Sequence, residues 1–366
     1  MAINTTSKPQ SASSSQVPST LTSGQLPKWA PFAIFIACLA VIGTLFFLIS
    51  LASGEPFNLT ATLVISFALF LISLTVISNL IEGSRRATDR LVTGVVIGAF
   101  ALAVIPLISL ITTVVINGVA RFDPMFFSHS MRNVVGEGGG AVHAIVGTLL
   151  VTLWAAIISV PIGIFTAIYL VEYGRGALAR GITFFVDVMT GIPSIVAGLF
   201  AYALFSIFFG PGIRMGFGGS VALSLLMIPV VVRSTEEMLK IVPNELREAS
   251  YALGVPKWLT IVKVVLPTAL AGIATGVTLA VARVIGETAP LLLIAGLTAS
   301  MNYDAFNERM TTLPVFVYTQ YMNTGVDVAA YHDRAWAGAL TLILIVMALN
   351  LIARLVAKIF SPKTGR

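Results

Sequence analysis

Arg283 and Glu287 stand four residues apart in the run GIATGVTLAVARVIGETAP (272–290). On one continuous helix, Gly272, Gly276, Ala280, Arg283, Glu287 and Pro290 fall within an arc of about 80°. One face then carries small residues, followed by a cation and a carboxylate one turn apart. A guanidinium is a planar donor fork that matches the oxygens of phosphate or carboxylate. The pair has two readings. In one, Arg283 and Glu287 only neutralise each other inside a bundle. In the other they form an anion site: Glu287 holds Arg283 when the site is empty. It also accepts a hydrogen bond from a protonated phosphate, which sulfate cannot supply at neutral pH. Gly272 and Gly276 make a G-x-x-x-G pair suited to close helix packing.

The element that must hold this pair is a membrane span. Of 366 residues, 57% are hydrophobic and only 10% charged, against about 25% charged in a soluble domain. The mean hydropathy is +0.95. Apolar runs able to cross about 30 Å of hydrocarbon occur at 29–52, 59–81, 91–118, 144–171, 182–209, 219–240, 268–296 and 335–358. The fold class is therefore all-α, a polytopic membrane protein of about eight transmembrane helices. Arg283 falls near the middle of the seventh span, about 43 Å long at 1.5 Å per residue. An ionised residue at that depth faces protein or a wet cavity.

Lys and Arg divide unequally between the two sides, 16 against 5, with Arg283 left inside a span. The richer side holds Arg85, Arg86, Arg90, Arg175, Arg180, Arg233, Lys240, Arg247, Lys257 and Lys263. The positive-inside rule makes that side, and both termini, cytoplasmic. The net charge of +6 forms no stripe, so no nucleic-acid partner is implied. The single cysteine, Cys38, lies in an apolar run and reads as a packed small hydrophobe. The Ser/Thr/Pro-rich residues 1–28 read as a disordered cytoplasmic tail rather than a signal peptide. The outward segments 119–143, with its GEGGG, and 297–334 read equally as loops or as a surface for an extracytoplasmic partner. His129, His143 and His332 are isolated, and no nucleophile–base or metal cluster appears. No catalytic residue and no metal site is expected.

Between the sixth and seventh spans lies EASYALGVPKWLTIVKVVLP (248–267). Asn244 follows Pro243 at a helix start. Leu246, Ala249, Ser250 and Leu253 share one face. Gly254 sits where a C′ glycine ends a helix, and Pro256 fits the first position of a second. This reads as helix, sharp turn, helix on the cytoplasmic face: an interfacial amphipathic loop or an elbow that receives a partner. No Gly-Lys dipeptide is present, so the chain has no Walker A phosphate cradle. Elsewhere, Pro193 in TGIPS breaks or kinks the fifth span. Thr190 and Ser194 then satisfy freed backbone groups or line a path. Asp187, about one and a half turns inside the fifth span, either pairs with an unidentified cation or reaches the interface. Arg233, Glu236 and Glu237 read as a solvated face.

The stretch 248–267 resembles the EAA loop of ABC importer permeases: Glu-Ala-Ala, three residues, Gly, nine residues, Ile, one residue, Leu-Pro. Glu248, Ala249, Gly254, Leu266 and Pro267 match, while Ser250 and Val264 replace an Ala and the Ile. VARVIGETAPLLLIAG is similar to the signature of the A-type (PstA-type) membrane subunits of bacterial phosphate ABC importers. AIVGTLLVT, TGIPSIVAGL, RSTEEMLKIVPNELREA and TTLPVFVY add to it, so the resemblance covers about 91–360. It implies a six-helix, MetI-like permease core at 91–360 with a coupling elbow at 244–264. Two extra helices, 29–90, precede it and depart from the family pattern. Residues 361–366 form a tail. The resemblance also implies that Glu248, Ala249, Ser250, Leu253 and Gly254 meet an ATPase subunit. Arg283, Glu287, Thr288, Ser194 and Arg233 then line the substrate path.

The implied function is half of an ATP-driven, alternating-access path for inorganic phosphate in a bacterial inner membrane. The chain itself is not an enzyme and binds no cofactor, ATP and Mg being held by the partner ATPase. The implied partners are a homologous second permease, an ATPase dimer, an extracytoplasmic phosphate-binding protein and membrane lipid. The alternatives are a permease of this class for another solute, or an ion-coupled secondary anion transporter.

Overall fold

The computed structural model describes residues 24–360. Residues 1–23 of the tail expected at 1–28, and the tail at 361–366, lie outside the described residues. Residues 24–28 depart from the expectation of disorder: the Leu26 N–H donates to Glu82 at 2.8 Å. Among the described residues every regular element is helical. This follows from the composition, because only helices and closed barrels satisfy backbone groups within lipid.

The chain divides into two compact units, ending at Ser109 and beginning at Leu110, with the division inside a helix. The boundary expected at 90/91 falls earlier. The first unit holds α1 (Ala30–Ser53), α2 (Leu59–Glu82) and most of α3 (Ser84–Gly118). On α2 the buried residues Thr62, Ser66, Leu74 and Ser78 repeat at multiples of four, a narrow small-residue face that lets helices approach closely. Cys38 is buried on α1, with its Sγ 4.0 Å from the Ser73 hydroxyl.

The second unit holds α4 (Pro124–Ser128), α5 (Val142–Ile168), α6 (Gly176–Thr190), α7 (Ser194–Phe209), α8 (Gly216–Ile241), α9 (Asn244–Ala252), α10 (Lys257–Thr260), α11 (Leu266–Val284), α12 (Ala289–Ile294), α13 (Leu313–Met322) and α14 (Val328–Phe360). Its centre is the pair α5 and α8. Gly147, Val151, Ala155, Ser159, Gly163 and Ala167 recur every four residues on the buried face of α5, a ridge of small side chains. A Cβ at Gly163 would lie 2.6 Å from Val231 of α8, so the two backbones approach at that point. Val151 and Ala155 share a core with Leu223, Met227 and Val231 of α8 and with Ala280 and Val284 of α11.

Among the described residues seven helices are long and apolar enough to cross a membrane. The pair α6–α7, bent by 109°, makes an eighth if counted as one span. Pro193 thus breaks the fifth span, as its missing N–H requires. The seventh span is displaced. It runs Lys257–Val284 rather than 268–296. Pro267 does not end a helix, because a π-helical turn, Ile261–Val265, carries the chain past it. Such a bulge accommodates the donor that proline lacks.

Candidate substrate path and coupling elbow

α11 stops at Val284, and α12 opens with Pro290 in its first turn. In a continuous helix the Pro290 ring would collide with the carbonyl of Gly286. Residues 285–288 therefore form a turn, with the Glu287 N–H donating to the Val284 carbonyl at 3.1 Å. The expected single face carrying Arg283, Glu287 and Pro290 does not form. Arg283 is the penultimate residue of α11 rather than the midpoint of a span, and it is exposed. Glu287 and Thr288 are half-buried. None of the ion pairs among the described residues contains Arg283 or Glu287. The expected contact that neutralises the pair is thus absent within the described chain.

The break before α12 meets the break before α7. Gly198 lies one turn inside α7, and a Cβ there would fall 2.6 Å from Pro290 Cα. On its other side α12 rests on α8, where a Cβ at Gly219 would come 2.9 Å from Leu291. Ser194, the first residue of α7 and half-buried, thus stands one turn before this contact. Thr288 stands two residues before it on the other chain segment. The motifs TGIPS and GETAP, some ninety residues apart in sequence, are brought together by a glycine against a proline.

Gly272 and Gly276 do pack closely, against Met238 and Ser234 of α8. Arg233, next to Ser234, has a different role from Arg283. It pairs with Asp187 of α6 and, at 2.8 Å, with Glu236. Glu236 also receives Lys240 at 2.6 Å and is only 8% exposed. The solvated face expected at 233–237 is therefore partly interior, because two cations neutralise the buried carboxylate. The cation for Asp187 is Arg233. Arg283 lies seven residues beyond Gly276, about 10 Å further along the helix. The structure therefore does not bring Arg233 together with Arg283 and Glu287.

The elbow forms at α9. Gly254 has φ +75°. The Gly254 N–H donates to Tyr251 and the Val255 N–H to Ser250, the paired bonds of a Schellman turn. Ser250 turns inward and shares a 2.8 Å hydrogen bond with Thr260, both side chains being buried. This corrects the expected docking face, which loses Ser250. Glu248, Ala249, Leu253 and Gly254 stay exposed. Leu253 is 83% and Trp258 61% exposed, an unusual outlay of apolar surface at a helical corner. The second arm is not a separate surface helix: α10 runs through the π turn into α11.

The residue the sequence did not single out is Glu172, in the π-helical turn Tyr169–Tyr173 that follows α5. Its carboxylate receives Arg247 of α9 at 2.9 Å, and the two side chains are 12% and 5% exposed. Arg247 also donates to the carbonyls of Leu239 and Val242. Lys257 donates to the Glu172 carbonyl and lies over the Tyr173 ring. Both arms of the elbow are thereby tied to the end of α5. A carboxylate closing an apolar run was the available signal.

The opposite ends of the spans are ordered too. Arg334 is 1% exposed. It donates to the carbonyls of Gly136 and Gly138 at 2.7 and 3.1 Å and to Gln320 at 2.9 Å. Gly136, Gly138 and Gly139 all have positive φ, which turns their carbonyls toward the arginines; Arg121 takes Gly139. The loop reading of 297–334 fails for α13, whose Leu313, Pro314, Val315 and Phe316 are buried.

Residues 159–366 match the family model described as "Binding-protein-dependent transport system inner membrane component". The chain is 48% identical over 272 residues to the phosphate transport system permease protein PstA of Mycobacterium leprae, covering 73% of this chain and 88% of that one. To the PstA of Yersinia pestis it is 37% identical over 280 residues, 74% and 90% of the two chains. A solved bacterial ABC transporter that imports the acidic polysaccharide alginate superposes with a TM-score of 0.48 at 14% identity, over 75% of this chain and 98% of that one. The chain belongs to the family of binding-protein-dependent transport system inner membrane components.

Proposed function

We propose that this chain forms half of the translocation path of an ATP-driven importer for inorganic phosphate. The observation that carries the mechanism is continuity. The second arm of the elbow, α10, and the helix that carries Arg283 form one uninterrupted helical piece from Lys257 to Val284, and α9 is fixed to its start by the Ser250–Thr260 bond. A push on α9 therefore moves α11 and the turn that holds Glu287 and Thr288. The names of the relatives from Mycobacterium leprae and Yersinia pestis support phosphate as the cargo.

In this reading Glu248, Ala249, Leu253 and Gly254 seat the elbow on a separate ATPase subunit, which holds ATP and Mg. Ser250 serves the coupling from inside, by fixing the angle between the arms. Arg283 has no partner among the described residues and is exposed on a helix of a membrane protein. A bare guanidinium against lipid is costly, so a homologous second permease covers it and encloses a wet path. There the guanidinium fork takes phosphate oxygens, Glu287 accepts a proton-bearing oxygen, and Thr288 and Ser194 line the passage. Arg233 lies nearer the elbow and acts at the mouth of the path. An extracytoplasmic phosphate-binding protein delivers the ion, and both termini lie in the cytoplasm of an inner-membrane complex.

The test is uptake of labelled phosphate by vesicles that hold the assembled complex, with ATP enclosed on the elbow side. Uptake that requires ATP and is not inhibited by sulfate agrees with the proposal. Uptake that persists without the ATPase and collapses with an ion gradient contradicts it.

A further inference from the structure

The first unit contains a cleft of about 720 Å³ that the proposed transport path does not use. One end is polar. Glu82 there is almost fully buried, and it receives Arg90 through two bonds of 2.6 and 2.8 Å. Ser78 and the Leu26 N–H complete its set of donors. Glu82 and Arg90 thus cancel each other. Around them stand Lys28, Arg86 and Asp89, which are exposed and absent from the ion pairs among the described residues. The rim keeps an excess of one positive charge. The other end is apolar, walled by Phe67 and Phe70 of α2.

The cleft also has a position in the membrane. Its polar end lies where α2 ends and α3 begins, beside Trp29, which is 68% exposed and immediately precedes α1. Tryptophan prefers the headgroup level. The cations therefore sit at headgroup depth, and the aromatic wall points along the spans toward the hydrocarbon. A site with that order of surfaces fits a molecule with an anionic phosphate at one end and acyl chains at the other. We infer that the two N-terminal helices and the start of α3 bind an anionic phospholipid, its phosphate between Lys28 and Arg86 and a chain against Phe67 and Phe70. Polar groups with buried partners, as in Glu82 and Arg90, fix the floor. The unpaired Lys28 and Arg86 supply the attraction, as basic residues do toward anionic leaflets.

The experiment uses the assembled complex in vesicles of equal phosphatidylcholine and phosphatidylglycerol. After re-extraction in mild detergent, native mass spectrometry counts the lipids retained. The inference predicts that phosphatidylglycerol is enriched about fivefold, the effect of one net charge, and that K28Q/R86Q abolishes the enrichment. Equal retention of both lipids by the wild type, or unchanged enrichment in the variant, overturns it. Should that variant fail to assemble, a photoactivatable phosphatidylglycerol on the wild type decides. Labelling within 25–31 and 86–97 supports the site, and labelling confined to other segments overturns it. Excess inorganic phosphate leaves this labelling unchanged if a lipid is the ligand. Displacement by phosphate would make the cleft a free-anion site and refute the lipid assignment.

Discussion

Ser250 of α9 and Thr260 of α10 share a buried hydrogen bond of 2.8 Å across the corner of the elbow. This bond and the Schellman turn fix the corner from within, while Arg247 and Lys257 tie the two arms to Glu172 from outside. S250A removes the Ser250–Thr260 bond and leaves Thr260 buried with only a 3.4 Å bond to its own turn. The stability loss is about 1 kcal/mol, too small to unfold the complex. The ratio of phosphate imported to ATP hydrolysed falls, because the corner yields under load. An unchanged ratio would show that the bond has no part in coupling.

At the same corner, Gly254 has φ +75° and no atom near the position of a Cβ. G254A therefore meets no steric obstacle and reports backbone strain alone, about 1–2 kcal/mol. G254N is milder, since asparagine tolerates this region better. Thermal unfolding of the detergent-solubilised complex should order the three chains as wild type, G254N, G254A. Equal midpoints for G254A and the wild type would mean the turn changes conformation.

Arg247 and Glu172 form a pair with little exposure on either side. Removing one partner leaves a buried charge uncompensated, and such losses are about 3–5 kcal/mol. E172Q and R247L are each predicted to reduce the amount of assembled complex sharply, and E172Q/R247L to recover part of it. The check is size-exclusion yield at matched expression. A double variant as poor as the sum of the singles would show that the two residues act independently.

G198L addresses the contact that joins the two broken helices. A single added Cβ already lies 2.6 Å from Pro290 Cα, so a leucine forces α7 and α12 apart, at about 1–3 kcal/mol. Assembly survives such a loss, whereas uptake drops because the proposed passage beside Ser194 and Thr288 is distorted. Uptake equal to that of the wild type would separate the helix breaks from the path.

Features that depend on local order were legible in the sequence. The spans follow from runs of apolar residues. The break at Pro193 and the turn at Gly254 follow from backbone chemistry, and the close approach at Gly272 and Gly276 from the absence of side chains. Features that depend on a remote partner were not. Ser250 lies on the apolar face of α9 by spacing, but Thr260 draws it inward. Arg334 counts as a charge outside the spans until the carbonyls of Gly136 and Gly138 enclose it. Glu287 illustrates a conflict between two local rules. Its spacing from Arg283 suits one helix, and Pro290 forbids that helix. The proline prevails because a missing donor and a steric clash outweigh any i,i+4 pairing, about 3 kcal/mol against a few tenths.

Arg283 and Glu287, which have no ion-pair partner among the described residues, are proposed to receive phosphate in the assembled path. The direct measurement is ATP-driven phosphate uptake by vesicles carrying R283A or E287Q complexes, with assembly and ATP hydrolysis measured on the same preparations. In fully assembled complexes R283A is expected to abolish uptake and E287Q to lower it about tenfold, the loss of one charge-assisted contact. Wild-type uptake by assembled R283A would contradict this role.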